Sequence, residues 1–437
     1  MKVNVLSLGC AKNTADSEHL IALLKAAGHE ISDDALKAEA VIINTCGFIL
    51  DAVKENLDAI LDFEELKLKG KIKKLIVLGC LVNRYEKDLR KEFSNVDLFA
   101  HSEEWEKIIK FLGGEFNQNC KTVAPAIDKK FWTRYLKISE GCNTLCSYCA
   151  IPSIRGRLRS VPLKNLIDEA LMLCAAGAKE LCLVGQDLTV YGSDIDDENI
   201  NLKTLIHELD RELPKGTRLR LLYLHPNRVN EELIDFLMSH EKFLHYLDIP
   251  IQHADPEILK AMNRPCPEGH MEKIFKYIRN CDNLFALRTT IMTGFPGEKQ
   301  ENFERVLDFI GEIEFDHLGV FTYSREEGTP AAKFNKRVST KISNERCIEI
   351  LELQSEIASE RSSLFEGREL EILIESFERQ DGDLIAVGRS FRDAPEVDGM
   401  ALINISASNS KKLKPGDVIR AKIDSSMEND LFGKVID

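Results

Sequence analysis

The sequence Gly141-Cys142-Asn143-Thr144-Leu145-Cys146-Ser147-Tyr148-Cys149 places three cysteines within eight residues, in C-x3-C-x2-C spacing. Three soft thiolates at this spacing are suited to an iron–sulfur cluster. Three ligands for four irons leave one iron open, and S-adenosylmethionine can chelate it through its amino and carboxylate groups. An electron from the cluster can then cleave the sulfonium to a 5′-deoxyadenosyl radical, which abstracts hydrogen from unactivated C–H bonds.

Two other interpretations of these cysteines are a structural zinc site and three unrelated core residues. Zinc normally takes four ligands with paired C-x2-C spacing, and no fourth Cys or His lies nearby at that spacing. The surrounding sequence favours the cluster, because a strand pattern precedes the motif and a series of βα units follows it.

Six apolar runs around this motif predict buried strands, with helical patterns between them. The candidate strands are Tyr135–Ile138, Glu180–Val184, Arg218–Tyr223, His245–Ile249, Ala286–Met292 and Leu318–Phe321. The helical patterns include Leu163–Ala176, Asn230–Ser239 and Glu301–Ile313. Six βα units predict a partial (β/α)6 barrel with its active site at the C-terminal strand ends.

Three further cysteines each follow a predicted strand near the start of the chain. The strands Val3–Leu8, Ala40–Asn44 and Lys74–Leu78 lead to Cys10, Cys46 and Cys80. Parallel strands bring such positions to one rim of a sheet, where α/β proteins build their sites. On spacing alone a metal site and a chance arrangement both remain open. The other cysteines are expected to be inert: Cys120, Cys174, Cys182, Cys266, Cys281 and Cys347.

The fold class predicted is α/β, in three domains. Residues 1–116 form an amino-terminal parallel α/β domain, residues 128–366 the barrel with a C-terminal helix at about Ser343–Phe365, and residues 367–437 a small β-barrel. The β-barrel is indicated by short β-type runs separated by Asp-Gly and Pro-Gly turns. Polar residues and Pro125 make Phe116–Ala126 a linker.

Composition and charge limit the class of protein. The 437 residues are 44% hydrophobic and 30% charged, which is typical of a soluble globular protein. No apolar run is long enough to span a bilayer or to act as a signal peptide, so a cytoplasmic protein without a membrane partner is expected. In a reducing cytosol the twelve cysteines are not expected to form a disulfide framework, so the clustered ones are better interpreted as metal ligands or catalytic thiols. The net charge of −14 argues against a general nucleic-acid binder.

The sequence resembles the methylthiotransferases throughout its length, and within them the RimO branch. Matching stretches are Ser7–Asn13, Asn44–Ile49, Ser139–Cys142 with Ala150–Pro152, Arg155-Gly156 and Tyr191-Gly192. The RimO character is carried by Leu222–Pro226, Asp248–Ala254, Thr322–Pro330, Val387–Ser390 and Asp393–Gly399, where relatives acting on transfer RNA tend to differ. Ala11 departs from the family pattern, in which proline is commoner.

The resemblance implies an enzyme with two 4Fe–4S clusters and a carboxy-terminal TRAM domain, OB-like and substrate-binding. Cys10, Cys46 and Cys80 are then expected to hold the second cluster and a sulfur species, and S-adenosylmethionine to serve as radical source and methyl donor. The implied product is a methylthio group on the β-carbon of an aspartate in protein twelve of the small ribosomal subunit. An electron donor such as flavodoxin or ferredoxin is expected.

Further candidate contacts follow from position. Tyr148 is placed to touch the adenine, and Gln186 with Asp187 to bind the methionyl end of the cofactor. The glycines of Thr293–Glu298, Gly294 and Gly297, can let the backbone approach the cofactor, although a tight strand–helix turn explains them equally well. Arg155 and Arg157 can hold a substrate carboxylate, against the alternative of a solvated basic loop.

Two other functions compete with modification of a ribosomal protein. One is methylthiolation of an adenosine next to the anticodon of transfer RNA, and the other is electron transfer or cluster delivery. Electron transfer or cluster delivery requires neither a barrel nor a separate β-domain. Methylthiolation of transfer RNA requires a basic surface, yet residues 367–437 carry ten Lys+Arg against fourteen Asp+Glu.

The acidic residues Asp393, Glu396 and Asp398 are expected to dock a basic ribosomal protein. They lie on a turn-rich segment of an acidic domain, and opposite charge steers such encounters. The alternative is a solvated turn in which Asp398-Gly399 serves its backbone geometry.

Overall fold

The computed structural model describes residues 1–117, 132–380, 383–405 and 413–436. Its first sheet is parallel and five-stranded, in the order β2-β1-β3-β4-β5. The elements of this part are β1 Lys2–Ser7, α1 Ala11–Ala26, β2 Glu30–Ile31, β3 Ala40–Thr45, α2 Leu50–Leu68, β4 Lys74–Gly79, α3 Cys80–Glu92, β5 Leu98–Ala100 and α4 Trp105–Phe111. Every residue of β3 is buried, as expected for a central parallel strand covered by helices on both faces.

A second parallel sheet of six strands forms the middle of the chain, in the order β13-β12-β11-β10-β9-β6. Its elements are β6 Thr133–Lys137, β7 Ser139–Glu140, α5 Ile151–Ile154, β8 Arg159–Ser160, α6 Leu163–Ala175, β9 Glu180–Val184, α7 Leu202–Glu212, β10 Arg218–Leu221, α8 Glu231–Met238, β11 Phe243–Asp248, α9 Pro256–Ala261, α10 His270–Cys281, β12 Ala286–Thr293, α11 Gln300–Ile313, β13 His317–Thr322 and α12 Thr340–Ser363. The short strands β7 and β8 pair separately.

The C-terminal part is a closed, five-stranded barrel in the order β14-β15-β16-β18-β17. Its strands are β14 Glu369–Gln380, β15 Asp383–Arg389, β16 Ala401–Ile405, β17 Val418–Met427 and β18 Asp430–Val435. The predicted fold class is confirmed: a parallel α/β part, a partial six-unit barrel and a small β-barrel. The predicted linker Phe116–Ala126 lies, from residue 118 onward, outside the described residues.

Side chains of the six-stranded sheet alternate between two cores, as the period of a strand requires. Leu136, Leu181 and Leu183 pack with the surrounding helices. The opposite, inner face contributes the residues Tyr135, Cys182, Val184, Leu244, Tyr246 and Ala286 to a separate cluster, which Ala15 of α1 and Ala394 of the C-terminal part complete. Both flanking parts of the chain therefore close the inner core of the barrel.

A buried charge cluster joins the C-terminal part to the barrel. Glu180 accepts hydrogen bonds from Arg220 Nε (2.8 Å) and Arg389 Nη1 (3.1 Å), and all three side chains are almost completely buried. Arg389 also donates to Thr133 Oγ1 (2.6 Å). Trp132 packs so closely on Gly416 that a Cβ there would lie 2.2 Å from the indole ring. The two parts are thus held in one relative position.

Within the described ranges, every helix is too short or too polar to cross a bilayer.

We predict that Glu180→Gln lowers the free energy of unfolding by about 3–5 kcal/mol, because it leaves buried arginine charge unpaired. Trp132 fluorescence during urea unfolding, in a Trp105→Phe background, reports the loss of this contact. Glu375→Gln is the matched control: Glu375 pairs with the same Arg389 but is 42% exposed, so a change below about 1 kcal/mol is expected. Equal effects of the two substitutions would contradict the assignment.

The stability difference should also depend on pH. Burial opposes the charge of Glu180, but Arg220 and Arg389 hold its pKa well below the usual value. A lowered pKa stabilises the fold above the unfolded-state value of about 4.3, and this contribution is lost as the pH falls. The gap between wild type and Glu180→Gln should therefore shrink below about pH 4. A constant gap would mean that Glu180 is not ionised in the folded protein.

Candidate functional site

Each of the three cysteines in the first part of the chain follows a strand and leads into a helix. Cys10 is the residue preceding α1, Cys46 comes directly after β3, and Cys80 is the first residue of α3. The strands β1, β3 and β4 are neighbours in the sheet, so their C-terminal ends share one rim. Cys10 and Cys80 therefore lie at helix N-termini, which favour negative charge, while burial raises the pKa of the Cys80 thiol.

Two glycines let these strand ends approach closely. Gly9 has φ +99°, and a Cβ there would lie 2.6 Å from the Cβ of Cys46. Gly79 has φ +104°, and a Cβ there would lie 2.5 Å from Asn44 Oδ1. Any other residue would be strained and would push the cysteine-bearing turns apart. The Gly-Cys pairs in the sequence therefore have a steric basis.

The second cysteine triad lies on the loop between β7 and α5. Ser147 anchors this loop, because its N–H donates to Met262 O (2.8 Å) and its hydroxyl to Ala261 O (2.8 Å), at the end of α9. Leu145 adopts φ +53°, an unusual conformation for a branched residue that allows the tight turn. The loop thus carries Cys142, Cys146 and Cys149 on a fixed backbone.

Both triads line a single cavity of about 370 Å³, within the range of small-molecule sites. Its cysteines are Cys10, Cys46, Cys80, Cys142, Cys146 and Cys149. Of the other predicted residues, Tyr148, Gln186, Asp187 and Arg155 line the same cavity. Cysteines up to 139 positions apart in the sequence are therefore brought to one space.

In the described part of the chain, no three His, Cys, Asp or Glu side chains converge tightly enough to hold a single metal ion. A cluster differs from a single ion, because each thiolate binds a different iron and the ligands stand farther apart. Burial raises the pKa of Cys46 to about 11 and that of Cys149 to about 12. Six soft donors around one cavity match the preference of iron–sulfur clusters.

Four cavity residues carry buried polar atoms with no partner in the described structure: Gln186 Oε1, Gln252 Oε1, His225 Nε2 and Arg264 Nε. Buried polar groups are normally hydrogen-bonded, so these atoms indicate a polar ligand. Burial, with Arg264 and Arg228 nearby, lowers the pKa of His225 to about 2, so its ring is neutral. Its Nδ1 accepts from Asn227 N–H (3.3 Å), which assigns the ring proton to Nε2. The lining fits an amino-acid-like cofactor such as S-adenosylmethionine.

Backbone strain is concentrated at the same place. Tyr223 and Gln252 line the cavity with φ +67° and +69°. Such conformations cost free energy for residues other than glycine and cluster at functional sites. Both residues follow barrel strands, β10 and β11, at their C-terminal ends.

Arg155 occupies a different role from the expected one. Its Nε donates to Cys80 Sγ (3.0 Å), Nη1 to Asp16 and Glu140 (both 2.8 Å), and Nη2 to Asn13 Oδ1 (2.6 Å). The expectation that Arg155 holds a substrate carboxylate is corrected, because the guanidinium is buried and already paired with two carboxylates. Arg157 is exposed and is not part of the cavity lining.

The network around Arg155 fixes the first sheet against the barrel. Asp16 of α1 also forms an ion pair with Lys137, which donates to Glu140 Oε2 (2.9 Å). Burial opposes the charge of Asp16, but Lys137 and Arg155 together lower its pKa to about 2. All of these groups are nearly inaccessible to solvent. One cluster of charges thereby sets the position of both triads.

Gly294 and Gly297 are not in the cavity with the cysteines. A Cβ at Gly294 would lie 1.9 Å from Ser343 Oγ, and the Gly294 N–H donates to Glu298 Oε2 (2.9 Å). Nothing lies within 4 Å of a Cβ at Gly297, which has φ +99°. These contacts describe a tight turn between β12 and α11 packed on α12. The expected cofactor contact is corrected accordingly.

The acidic residues of the C-terminal part are also placed differently from the expectation. Asp398 accepts from Tyr246 Oη (2.8 Å) and Arg288 Nε (3.1 Å), and Asp393 accepts from Ser390 Oγ (2.9 Å). Both carboxylates are about 1% exposed, between the β-barrel and the inner face of the larger barrel. They cannot form a docking surface with Glu396, which alone of the three is exposed. That expectation is corrected, because both carboxylates are buried beside residues that are distant in sequence, Arg288 for Asp398 and His317 for Asp393.

Several functional-site residues were not predicted. Asn13 donates to Leu8 O (2.8 Å) and Thr45 O (3.1 Å) and so joins the ends of β1 and β3. Lys12 and Arg264 supply positive charge to the cavity lining. The spacing Cys10-x-x-Asn13 on the first turn of a helix is the only local signal for Asn13.

Three known families match successive parts of the chain. Residues 2–101 match Uncharacterized protein family UPF0004, residues 136–310 the Radical SAM superfamily and residues 367–436 the TRAM domain.

Among solved structures, the chain resembles the radical S-adenosylmethionine methyltransferase TsrM from Kitasatospora setae, solved with cobalamin and a [4Fe-4S] cluster. The TM-score is 0.56 at 14% identity, covering 76% of this chain and 73% of that one. The cobalamin-dependent S-adenosylmethionine radical enzyme OxsB gives 0.50 at 11% identity, over 81% and 56% of the two chains. At these identities the likeness concerns the fold alone.

Relatives at higher identity extend over the whole chain. Ribosomal protein uS12 methylthiotransferase RimO of Aquifex aeolicus (strain VF5) is 40% identical, over 99% of this chain and 97% of that protein. RimO of Lachnoclostridium phytofermentans is 39% identical, over 99% of both chains. With the radical-SAM barrel, the TRAM domain and this full-length similarity, the chain belongs to the RimO family of radical S-adenosylmethionine methylthiotransferases.

Proposed function

We propose that the protein inserts a methylthio group at the β-carbon of an aspartate in ribosomal protein uS12, using two 4Fe–4S clusters. The observation that carries this proposal is the single cavity lined by both cysteine triads. A reaction that joins a radical-generating site to a sulfur-holding site requires the two to face each other, since the activated carbon must reach the sulfur. The substrates named for the relatives support uS12 as the protein modified.

Cys142, Cys146 and Cys149 would hold the cluster that binds S-adenosylmethionine, and Cys10, Cys46 and Cys80 the cluster that carries sulfur. When bound, these groups supply an electron for cleavage of the sulfonium and a sulfur atom for transfer. The chain's own groups orient and enclose them: Gln186 and His225 offer buried polar atoms to the cofactor. Arg155 donates to Cys80 Sγ and so stabilises negative charge on that ligand.

In this proposal residues 1–116 carry the sulfur site, residues 128–366 the radical site, and residues 367–437 guide the substrate. The acidic balance of the last segment suits a basic ribosomal protein better than transfer RNA. The electron donor is a flavodoxin or ferredoxin, and the reaction takes place in the cytoplasm.

We predict that changing Cys142, Cys146 and Cys149 together to alanine removes about half of the roughly eight irons expected per reconstituted chain. Formation of 5′-deoxyadenosine should be abolished. A variant with Cys174, Cys266 and Cys347 changed to alanine is the control, because these cysteines lie outside the cavity lining. Full iron content in the first variant would contradict the assignment of this loop.

Changing Cys10, Cys46 and Cys80 to alanine is expected to stop sulfur insertion but to leave reductive cleavage of S-adenosylmethionine largely intact. The reason is that the two triads are proposed to have separate tasks. Chromatography of 5′-deoxyadenosine and mass spectrometry of uS12 measure the two activities in one reaction. If a folded variant that holds half the iron lost both activities, the proposal that the two triads have separate tasks would be excluded.

We predict that purified uS12 gains about 46 Da on one aspartate when it is incubated with reconstituted enzyme, reductant and S-adenosylmethionine. This increase is the mass of CH2S, because one methylthio group replaces one hydrogen. Peptide mass spectrometry locates the change, and uS12 with asparagine at that position is the control. The complementary measurement is the mass of uS12 in a strain lacking this gene. Unmodified uS12 in the reaction, together with modified transfer RNA, would overturn the proposed substrate.

A further inference from the structure

Lys12 reaches from the first sheet to the rim of the barrel. It lies in the first turn of α1, two residues after Cys10, and its side chain lines the cavity of the six cysteines. Its Nζ lies 3.8 Å from the centre of the Tyr223 ring and 3.4 Å from Gly185 O. Tyr223 and Gly185 follow β10 and β9, so the ammonium is held where the two parts of the chain meet.

The other charged groups of the lining are engaged elsewhere. Arg155 is paired with Asp16 and Glu140, and Asp187 with Arg228 (2.6 Å). Arg264 lies against the second triad, with Nη1 3.6 Å from Cys146 Sγ. For Lys12, no carboxylate of the described residues comes within 4 Å. The ammonium near the Cys10 triad therefore lacks a carboxylate partner in this part of the molecule, and the negative groups proposed beside it are the thiolates of the triad.

The Lys12 ammonium has three N–H donors, and its contacts are the Tyr223 ring and the carbonyl of Gly185, so it retains the capacity to bind a further acceptor. A carboxylate entering the cavity would complete the pair and would form a charge-assisted hydrogen bond. An uncharged group such as an amide or a nucleobase could accept a hydrogen bond from the ammonium but would not supply the opposite charge. Lys12 is thus suited to distinguish acidic side chains from neutral ones.

We infer that Lys12 is a specificity-determining residue that binds the carboxylate of the substrate's aspartate beside the Cys10 triad. The inference rests on the proposed function and adds how the side chain is selected. Tyr223 positions the ammonium by holding it over its ring.

The test compares binding of two probes, purified uS12 and uS12 with asparagine in place of the target aspartate. Dissociation constants are measured for reconstituted wild type, Lys12→Met and Lys12→Arg, with iron content determined for each. Wild type should prefer the aspartate form by about tenfold or more, as charge-assisted hydrogen bonds imply. Lys12→Met should bind both forms alike, and Lys12→Arg should recover part of the preference.

Lys25→Met is the matched control, because Lys25 is an exposed lysine near the end of the same helix. It should keep the wild-type preference. The inference is overturned if Lys12→Met still prefers the aspartate form, if wild type shows no preference, or if Lys12→Met loses about half of its iron.

Modification of uS12 by the wild-type enzyme, followed in the same preparations, separates this inference from the proposed function. If the wild-type enzyme modifies uS12 but Lys12→Met still prefers the aspartate form, only the role of Lys12 is excluded. If uS12 is not modified, both the proposed function and this inference are excluded.

Discussion

The buried ion pairs of Arg155 determine how the two cysteine triads face each other. This residue belongs to the segment that follows the Cys142–Cys149 loop, yet its guanidinium contacts Asp16 and Asn13 of α1 and the thiol of Cys80. Isolated buried charges are strongly unfavourable, so Arg155, Asp16, Lys137 and Glu140 are stable only when together. Any sliding of the first sheet along the barrel would separate them. The geometry of the cavity is therefore set by electrostatics rather than by apolar packing alone.

The C-terminal part is attached to the barrel by the same physical means. Glu180 lies between Arg220 and Arg389, while Asp398 binds Arg288 and Tyr246. Ala394 adds an apolar contact inside the barrel, on the same face as Ala15 of α1. The barrel thus has its inner core completed from both flanking parts. A β-domain held this rigidly can place a bound protein at a constant distance from the cavity.

Local patterns in the sequence were sufficient for the strands and for the cysteines at their ends. A buried parallel strand is a continuous apolar run, and each of three such runs leads directly to a cysteine, although spacing alone left open whether these cysteines bind metal. The short strands β2 and β5 were not predicted, because two or three residues give no periodicity. Charged residues were the main source of error. Asp393 and Asp398 look like solvated acids in the sequence, and only the fold shows that Arg288 and His317 lie beside them. Arg155 was misjudged for the same reason, since its partners lie up to 142 positions away.

The lining of the cavity divides into two halves with different chemistry. Beside the Cys142 triad lie Arg264 and the unpaired polar atoms of Gln186 and His225, which suit a zwitterionic cofactor. Beside the Cys10 triad lie Lys12, the ring of Tyr223 and Arg155, whose guanidinium is already paired with two carboxylates. Because Tyr223 carries backbone strain, its ring position must be maintained by its surroundings, and the N–H of Tyr223 lies 3.3 Å from Asp248 Oδ2. Asp248 is in turn fixed by Arg288, the arginine that binds Asp398 of the C-terminal part. A continuous chain of contacts therefore connects the β-domain to the ring that holds Lys12, so the β-domain and this half of the cavity belong to one rigid framework.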